Sequence, residues 1–473
     1  MTDQGAWHDD LRQKLESFYD SDADRQDLDA LGRFLAITPD RAAPSIILPI
    51  EEMEERLQLA AKLEKHWKDS FSRLTLKDSR EWKPFSTHQI AALMIVDLDD
   101  LRVYSRNPIF TYGILAGLCQ IPSLTKIFLT KPQSHDDLWP LDLTPFTQTP
   151  SKKRRLSESS DRSFESDGTQ FDQRGNAKRN TKQADKRLSL DENSCIILKT
   201  ADPEVCHIVP FSANAKEDKR QALIRCFTGS VNPILFKGGD GFEQNEQVHK
   251  LFTSRLGVSD RKWNLISLDR QLHEWWGSFY FGLKCLGTAL VAGKPDGIAT
   301  LKLQFHWMPR REQPSKPLAR TKQEFLDMFK GTYGDPSSGN PVVAAARPVS
   351  GRPIRTGDIF YVDIQTRHVH KMMLAFEIQW ALVRIAAMTG GAEALELVGD
   401  EPDYLDESGQ FLGLMAEFRA NWDLFKDDIS EYGSKSDEPL VKDAEDDGGK
   451  GKGKMVDPSG DELDGDKQGD DAT

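Results

Sequence analysis

Apolar residues recur with helical spacing in the first third of the chain. Within the segment IEEMEERLQLAAKLEKHW they are Ile50, Met53, Leu57, Ala60, Leu63 and Trp67. Steps of three or four residues place such side chains on one face of a helix. A second helical pattern covers about residues 86–119 and is broken at Pro108. These patterns predict an N-terminal helical region over residues 1–145.

Strand-like patterns begin near residue 191. The runs SCIILKT and EVCHIVPF are short, apolar and rich in β-branched residues, and the turn residues Asp202 and Pro203 separate them. They predict a hairpin that ends at His207. Further along, WNLISLD is expected to form a short strand or turn, and RQLHEWW to begin a helix that carries His273.

The segment TLKLQFHWM alternates between apolar and polar residues, which predicts a half-buried strand. Its apolar face includes Phe305, whereas Gln304 and His306 fall on the face expected to meet solvent. We interpret His306, and His249 earlier in the chain, as surface histidines.

The C-terminal third carries one long apolar pattern. Its run from Met372 to Met388 is followed by Gly390, a typical helix stop, and so predicts a largely buried helix within a helical region at 361–430. The preceding residues, 311–360, are rich in Pro, Arg and Gly and are predicted to form an extended connection.

Composition and charge set two further segments apart. Residues 146–190 are polar and basic, and residues 431–473 are acidic and Gly-rich, so neither can bury enough apolar area to offset the entropy of ordering. We predict a disordered basic linker and a disordered acidic tail. The formal charge of −13 therefore says little about the surface of the folded part. The chain has no run of eighteen apolar residues and no secretory signal, which predicts an intracellular protein without a membrane partner.

Candidate chemistry centres on His207, Asn264 and His273. The phrase CHIVPF contains the first of these residues, and WNLISLDRQLHEWW contains the other two, nine positions apart. A histidine near its ordinary pKa is a suitable general base, and a divalent ion can neutralise charge at a scissile phosphate. For each residue alone, a packing or turn role is the simpler interpretation.

Taken together, these phrases resemble the HNH endonuclease (ββα-metal) family, and in particular the variant common in fungal proteins, which also carries a cysteine such as Cys195 upstream. The resemblance implies His207 as catalytic base, Asn264 as the residue that orients the catalytic loop, and His273 as a metal ligand. It implies an α+β fold: an HNH-like ββα-metal core at 191–310, flanked by the N- and C-terminal helices.

Cys206 departs from the family pattern. Many active members have Asp, Glu or His directly before the base, where a metal is bound. We therefore assign Cys206 as a candidate metal ligand, with Glu204 or Asp269 as alternative sources of an oxygen ligand. The sequence does not distinguish Mg, Mn, Ni and Zn as the divalent ion, and thiolate favours zinc over magnesium. A third hypothesis is a structural zinc site formed by Cys195, Cys206, His207 and His273.

The expected function is metal-dependent hydrolysis of phosphodiester bonds in nucleic acid, with DNA favoured over RNA. The alternative is a catalytically degenerate HNH fold that serves as a nucleic-acid-binding or protein-interaction scaffold. The basic run Lys152–Arg155 is typical of a nuclear import signal, and without import the protein would be cytoplasmic. The 56 residues between His207 and Asn264 form an insertion whose role the sequence leaves open.

Overall fold

Helices and small antiparallel sheets together form the fold, as the α+β prediction requires. The computed structural model describes residues 4–20, 25–73, 84–106, 108–128, 169–228, 231–236, 241–291, 293–309, 320–327 and 344–390. All of them belong to the unit that spans Met1–Asn421.

The helices are α1 (Gln4–Asp20), α2 (Arg25–Ala36), α3 (Met53–Arg73), α4 (Thr87–Leu93), α5 (Leu98–Tyr104), α6 (Pro108–Phe128), α7 (Thr181–Leu190), α8 (Ser212–Ala215), α9 (Glu217–Thr228), α10 (Asn232–Leu235), α11 (Gly241–Phe252), α12 (Arg270–Gly277), α13 (Lys322–Asp327) and α14 (Val369–Thr389). The strands are β1 (Gln170–Phe171), β2 (Ala177–Lys178), β3 (Glu204–His207), β4 (Leu265–Leu268), β5 (Phe281–Ala289), β6 (Ile298–Trp307) and β7 (Ile359–Gln365). Short 3-10 helices cover Lys262–Asn264 and Thr366–His368.

The N-terminal helices follow the predicted pattern closely. Met53 and Leu63 on α3 are fully buried, as the helical spacing requires, whereas Ile50 lies before the helix and is exposed. The second pattern forms three helices, α4 to α6, and Pro108 is the first residue of α6. Proline fits there because the first turn of a helix does not use its backbone N–H groups.

The predicted disordered linker at 146–190 extends too far, because residues 170–190 form β1, β2 and α7. A buried ion pair anchors α7: the Arg187 Nε lies 2.8 Å from Asp191 Oδ2, and Arg187 Nη2 donates to the Asp363 carbonyl at 2.9 Å. Asp191 Oδ2 in turn accepts a bond from Ser267 N on β4. The polar composition of this segment could not predict its order, because the partners that hold it are distant in sequence. Residues 146–168 and the acidic tail lie outside the described residues.

The predicted hairpin between SCIILKT and EVCHIVPF is wrong. Residues 196–198 form a turn, closed by a bond from Lys199 N to the Cys195 carbonyl, and β3 pairs instead with β4. In this antiparallel pair, His207 faces Leu265 and Glu204 faces Leu268. Ile196 N donates to Ser267 O on β4, so the first run supports the pair without entering it as a strand.

The larger sheet has the antiparallel order β5-β6-β7. β7 lies across the predicted extended connection (311–360) and helical region (361–430), so that boundary is wrong. The solvent face assigned to β6 is also wrong, since Gln304 and His306 are buried. Gln304 accepts bonds from Ser45, and the His306 ring lies 4.9 Å from that of Trp380 on α14. β6 is central in its sheet, and elements distant in sequence cover its polar face. His249 is half-buried on α11.

α14 is the buried helix that the apolar run predicts, and it ends at Gly390, whose φ of 111° suits glycine. It packs closely on β5, because a Cβ on Gly282 would lie 2.9 Å from the Val383 side chain. Residues 366–389 are long and apolar enough to cross a membrane by length and composition, but 83% of the apolar window is buried within the protein. This burial is typical of a core helix.

Candidate active site

β3, β4 and α12 position the three residues singled out by the sequence. His207 ends β3, Asn264 directly precedes β4, and His273 lies on α12. Asp269, between β4 and α12, begins the helix by accepting a bond from Gln271 N at 3.0 Å. α12 is anchored to the sheet by Trp276, whose ring lies 5.5 Å from that of Phe281.

Asn264 holds the chain that leaves β3. Its side chain is fully buried, its Oδ1 accepts a bond from Val209 N at 2.9 Å, and its Nδ2 donates to the carbonyls of Val209 at 2.9 Å and Ser259 at 3.1 Å. The Asn264 carbonyl also accepts a bond from Ile208 N. Asn264 therefore fixes the backbone next to His207 and does not itself meet solvent.

His207 lies in a nearly dry environment beside a carboxylate. Its side chain is 9% exposed, and Nε2 is 2.9 Å from Asp260 Oδ1. Desolvation lowers the pKa of His207 below its usual value and outweighs the opposing effect of Asp260. The imidazole is thus neutral at neutral pH. Because an ionised carboxylate only accepts hydrogen bonds, Nε2 carries the shared proton, which leaves the Nδ1 lone pair to accept another.

Asp260 is the residue that sequence reasoning missed. Its Oδ2 accepts a bond from Asn180 N at 2.5 Å, so both carboxylate oxygens are engaged and the His207 ring has a fixed orientation. The Trp276 indole adds a bond to the His207 carbonyl at 3.1 Å. The sequence signal was weak: an aspartate four residues before Asn264, at the end of a long insertion.

His273 forms a second, more exposed pair with Glu204. The Nδ1 of His273 lies 2.8 Å from Glu204 Oε2, and the two side chains are 34% and 47% exposed. Arg270 lies 3.8 Å from the other carboxylate oxygen. The two pairs belong to the same small unit, because Glu204 and His207 are the first and last residues of β3. The site therefore combines a neutral, oriented histidine with an accessible histidine–carboxylate pair.

The segment that carries these residues is similar to a known protein family. Residues 195–284 match the HNH endonuclease family. The matched HNH domain runs from Cys195 into β5 and contains His207, Asn264 and His273. The chain matches no curated protein and no solved structure.

Cys206 does not join the other candidate residues of the HNH domain. It points into the core, 2% exposed, and its Sγ donates to the Ile266 carbonyl at 3.5 Å. Desolvation raises the pKa of the Cys206 thiol well above its usual value, and a neutral thiol is a poor metal ligand. The structure thus gives no support to Cys206 as a ligand.

A divalent ion would fit the HNH domain through His273 and Glu204. Imidazole nitrogen with carboxylate oxygen suits Mn, Ni and Zn, and magnesium ordinarily takes only one or two carboxylates and completes its shell with water and substrate phosphate. Within the described ranges no group of three or more His, Cys, Asp or Glu side chains is arranged to enclose a metal. This argues against the structural zinc site of Cys195, Cys206, His207 and His273. Asp269 is occupied with capping α12 and with Thr200.

Proposed function

We propose that the HNH domain is a metal-dependent endonuclease that hydrolyses phosphodiester bonds, with DNA as its main substrate. The family match supports nuclease activity on nucleic acid. The observation that carries the proposal is the His207–Asp260 pair, at 2.9 Å in a nearly dry environment. Such a pair orients a neutral imidazole, which a packing role would not require.

In the proposed mechanism, Asp260 holds the Nε2–H of His207 and aims Nδ1 at the attacking water. His207 accepts the proton of that water as it attacks phosphorus, a contribution typically worth about 10²–10⁴-fold in rate. His273 and Glu204 would hold the divalent ion, which when bound neutralises charge on the phosphate and on the leaving oxygen. Asn264 holds Ile208 and Val209, the two residues directly after His207, in place.

The alternative proposal is a scaffold that keeps the HNH fold without turnover. The burial of Cys206 favours it, since this position supplies a metal ligand in many active members and here the side chain lies in the core. The two proposals differ in what His207 and His273 do, because a scaffold needs neither a base nor a metal.

The test is plasmid cleavage by the purified full chain with Mg²⁺, Mn²⁺, Ni²⁺ or Zn²⁺, and a matched RNA assay. We expect supercoiled DNA to be nicked and His207→Ala to abolish nicking. His66→Ala, on the exposed face of α3, is the matched control and should retain activity. A wild type that binds DNA but cleaves with none of the four ions would establish the scaffold. Equal cleavage by His207→Ala would refute the assignment of the base.

We also propose that Lys152–Arg155, which lie outside the described residues, direct the protein to the nucleus. Replacing the four basic residues by glutamine in a fluorescent fusion should move it to the cytoplasm. Unchanged nuclear signal would contradict this role.

A further inference from the structure

A cavity of about 880 Å³ lies where the segment 46–52, α5, α10, β5 and α14 meet. Apolar side chains from several of these segments line it, among them Ile46, Leu48, Ile95, Phe236 and Trp380. None of the residues that form the HNH site described above contributes to this lining. No Ser, Thr, Tyr, Asn or Gln is among the described residues that line the cavity, so its wall consists of apolar and ionic side chains.

Arg384 on α14 brings to this cavity a positive charge that no described carboxylate neutralises. Its Nε donates to the Ile47 carbonyl at 3.1 Å, and its guanidinium carbon lies 5.8 Å from the centre of the Trp380 ring. Among the described residues, none accepts a hydrogen bond from Nη1 or Nη2, and no acidic side chain forms an ion pair with Arg384. Desolvation and the neighbouring Arg56 lower the pKa of Arg384 to about 10. The two terminal nitrogens of a guanidinium form a fork that matches the oxygens of a carboxylate.

The other ionic side chains of the cavity have partners of their own or lie away from Arg384. They are Arg56, Arg102, Lys284, Glu51, Glu52, Asp97, Asp99 and Glu377. Glu52 pairs with Arg56 at 2.7 Å. Asp99 pairs with Arg102, also at 2.7 Å. Glu377 precedes Arg384 by seven residues on α14, which corresponds to about 10 Å along a helix axis, and no ion pair joins the two. Arg384 therefore stays available to an anionic ligand.

We propose that this cavity binds a free carboxylic acid with an apolar chain, the carboxylate on Arg384 and the chain against the apolar wall. The volume lies within the range of about 300–1,000 Å³ that is usual for pockets that enclose a small organic ligand. A small anion such as acetate would leave the apolar wall unused. A polypeptide fits less well, because its amides would meet a lining without hydroxyl or amide side chains. Binding here does not depend on His207 or on cleavage.

Calorimetric titration of the full chain tests the proposal with four probes: octanoate, octylammonium, acetate and acetyl-trileucine. Burial of each methylene group strengthens binding about fourfold, so octanoate should bind at least about 100-fold more tightly than acetate. It should also bind at least about tenfold more tightly than octylammonium, which has a similar chain and the opposite charge. Tighter binding of octylammonium would identify a cation site, and tighter binding of acetyl-trileucine would identify a site for a peptide C-terminus. Either outcome, or failure of octanoate to bind, would overturn the proposal.

Arg384→Gln should weaken octanoate binding at least about tenfold, and Arg384→Lys, which keeps the charge, should weaken it less. Glutamine at this position can still donate a hydrogen bond to the Ile47 carbonyl.

Ile46→Asp tests the apolar wall without disturbing the core, because Ile46 is 71% exposed. Its carboxylate should repel that of octanoate and weaken binding about tenfold. The matched control is Leu290→Asp, at a fully exposed apolar residue outside the cavity, which should bind octanoate as the wild type does. Glu377→Gln removes a negative charge from the lining and should not weaken binding. Octanoate binding that both Arg384→Gln and Ile46→Asp leave unchanged in folded protein would overturn the proposal.

Discussion

Asn264→Ala separates a structural from a catalytic role for the asparagine of the HNH domain. The substitution removes a fully buried amide that makes three hydrogen bonds, to Val209 N, Val209 O and Ser259 O. Val209 is itself buried, so water cannot replace the lost partner of its N–H. We expect the main effect to be on stability.

Each such bond contributes about 1 kcal/mol net, so the loss of three costs about 3 kcal/mol. The unsatisfied Val209 N–H adds a desolvation penalty, which brings the upper end to about 5 kcal/mol. At about 2–4 °C per kcal/mol, the melting temperature should fall by at least about 6 °C. A cost of this size exceeds that of an ordinary surface substitution, which stays within about 0.5 kcal/mol.

Urea unfolding followed by tryptophan fluorescence measures this free energy. Gln271→Ala, an exposed amide on α12, is the matched control and should change stability by less than about 0.5 kcal/mol. Asn264→Asp keeps an acceptor for Val209 N but turns a carboxylate oxygen toward two carbonyls, so it should also destabilise. If Asn264→Ala costs less than about 1 kcal/mol, the three bonds do not hold this loop and the argument is refuted.

Three further outcomes follow from the site and the core. Asp260→Asn should lower kcat and, because Asp260 raises the pKa of His207, move the acid limb of the pH–rate profile to lower pH; an unmoved limb would contradict its orienting role. Glu204→Gln should raise the metal concentration for half-maximal activity by about 10–100-fold, whereas Glu274→Gln, next to His273 on α12, should not. Burial lowers the pKa of His306 to about 4. As pH falls from about 6.5 to 4, this histidine is therefore protonated in the unfolded chain but not in the folded protein. The free energy of unfolding should fall by up to about 3 kcal/mol across that window. Urea unfolding should show a shallower pH dependence for His306→Gln, and equal slopes would refute this.

The spacing of apolar residues predicted those helices whose buried face can be recognised without knowing which other elements they pack against. The helical spacing of α3, the apolar run of α14 and its stop at Gly390 all appear as expected, because burial of one face or of the whole helix is recorded in the sequence itself. The strand β6 was also predicted, but not the burial of His306 on its polar face. The His306 ring lies against Trp380 and bonds Gln304, which is in turn held by Ser45, more than 250 positions earlier in the chain.

The site was predictable only as far as the family resemblance reached. His207, Asn264 and His273 are brought to one small unit, as their phrases suggested. Glu204 was one of two alternatives, and its contact with His273 depends on how α12 leaves β4. Asp260 could not be recognised, because it lies near the end of the 56-residue insertion, far along the chain from the histidine that it orients.

The two carboxylate oxygens of Asp260 have partners in different parts of the chain, which limits how small a fragment can keep this site intact. One faces His207, and the other is fixed by Asn180, which precedes the segment that matches the HNH family. α7 further joins β4 and β7 through Arg187 and Asp191. A fragment of residues 195–284 alone would therefore keep every motif residue but lose the bond from Asn180 that fixes Asp260 beside His207. A fragment designed to keep the geometry of this site must therefore include Asn180 and α7 as well as the motif residues.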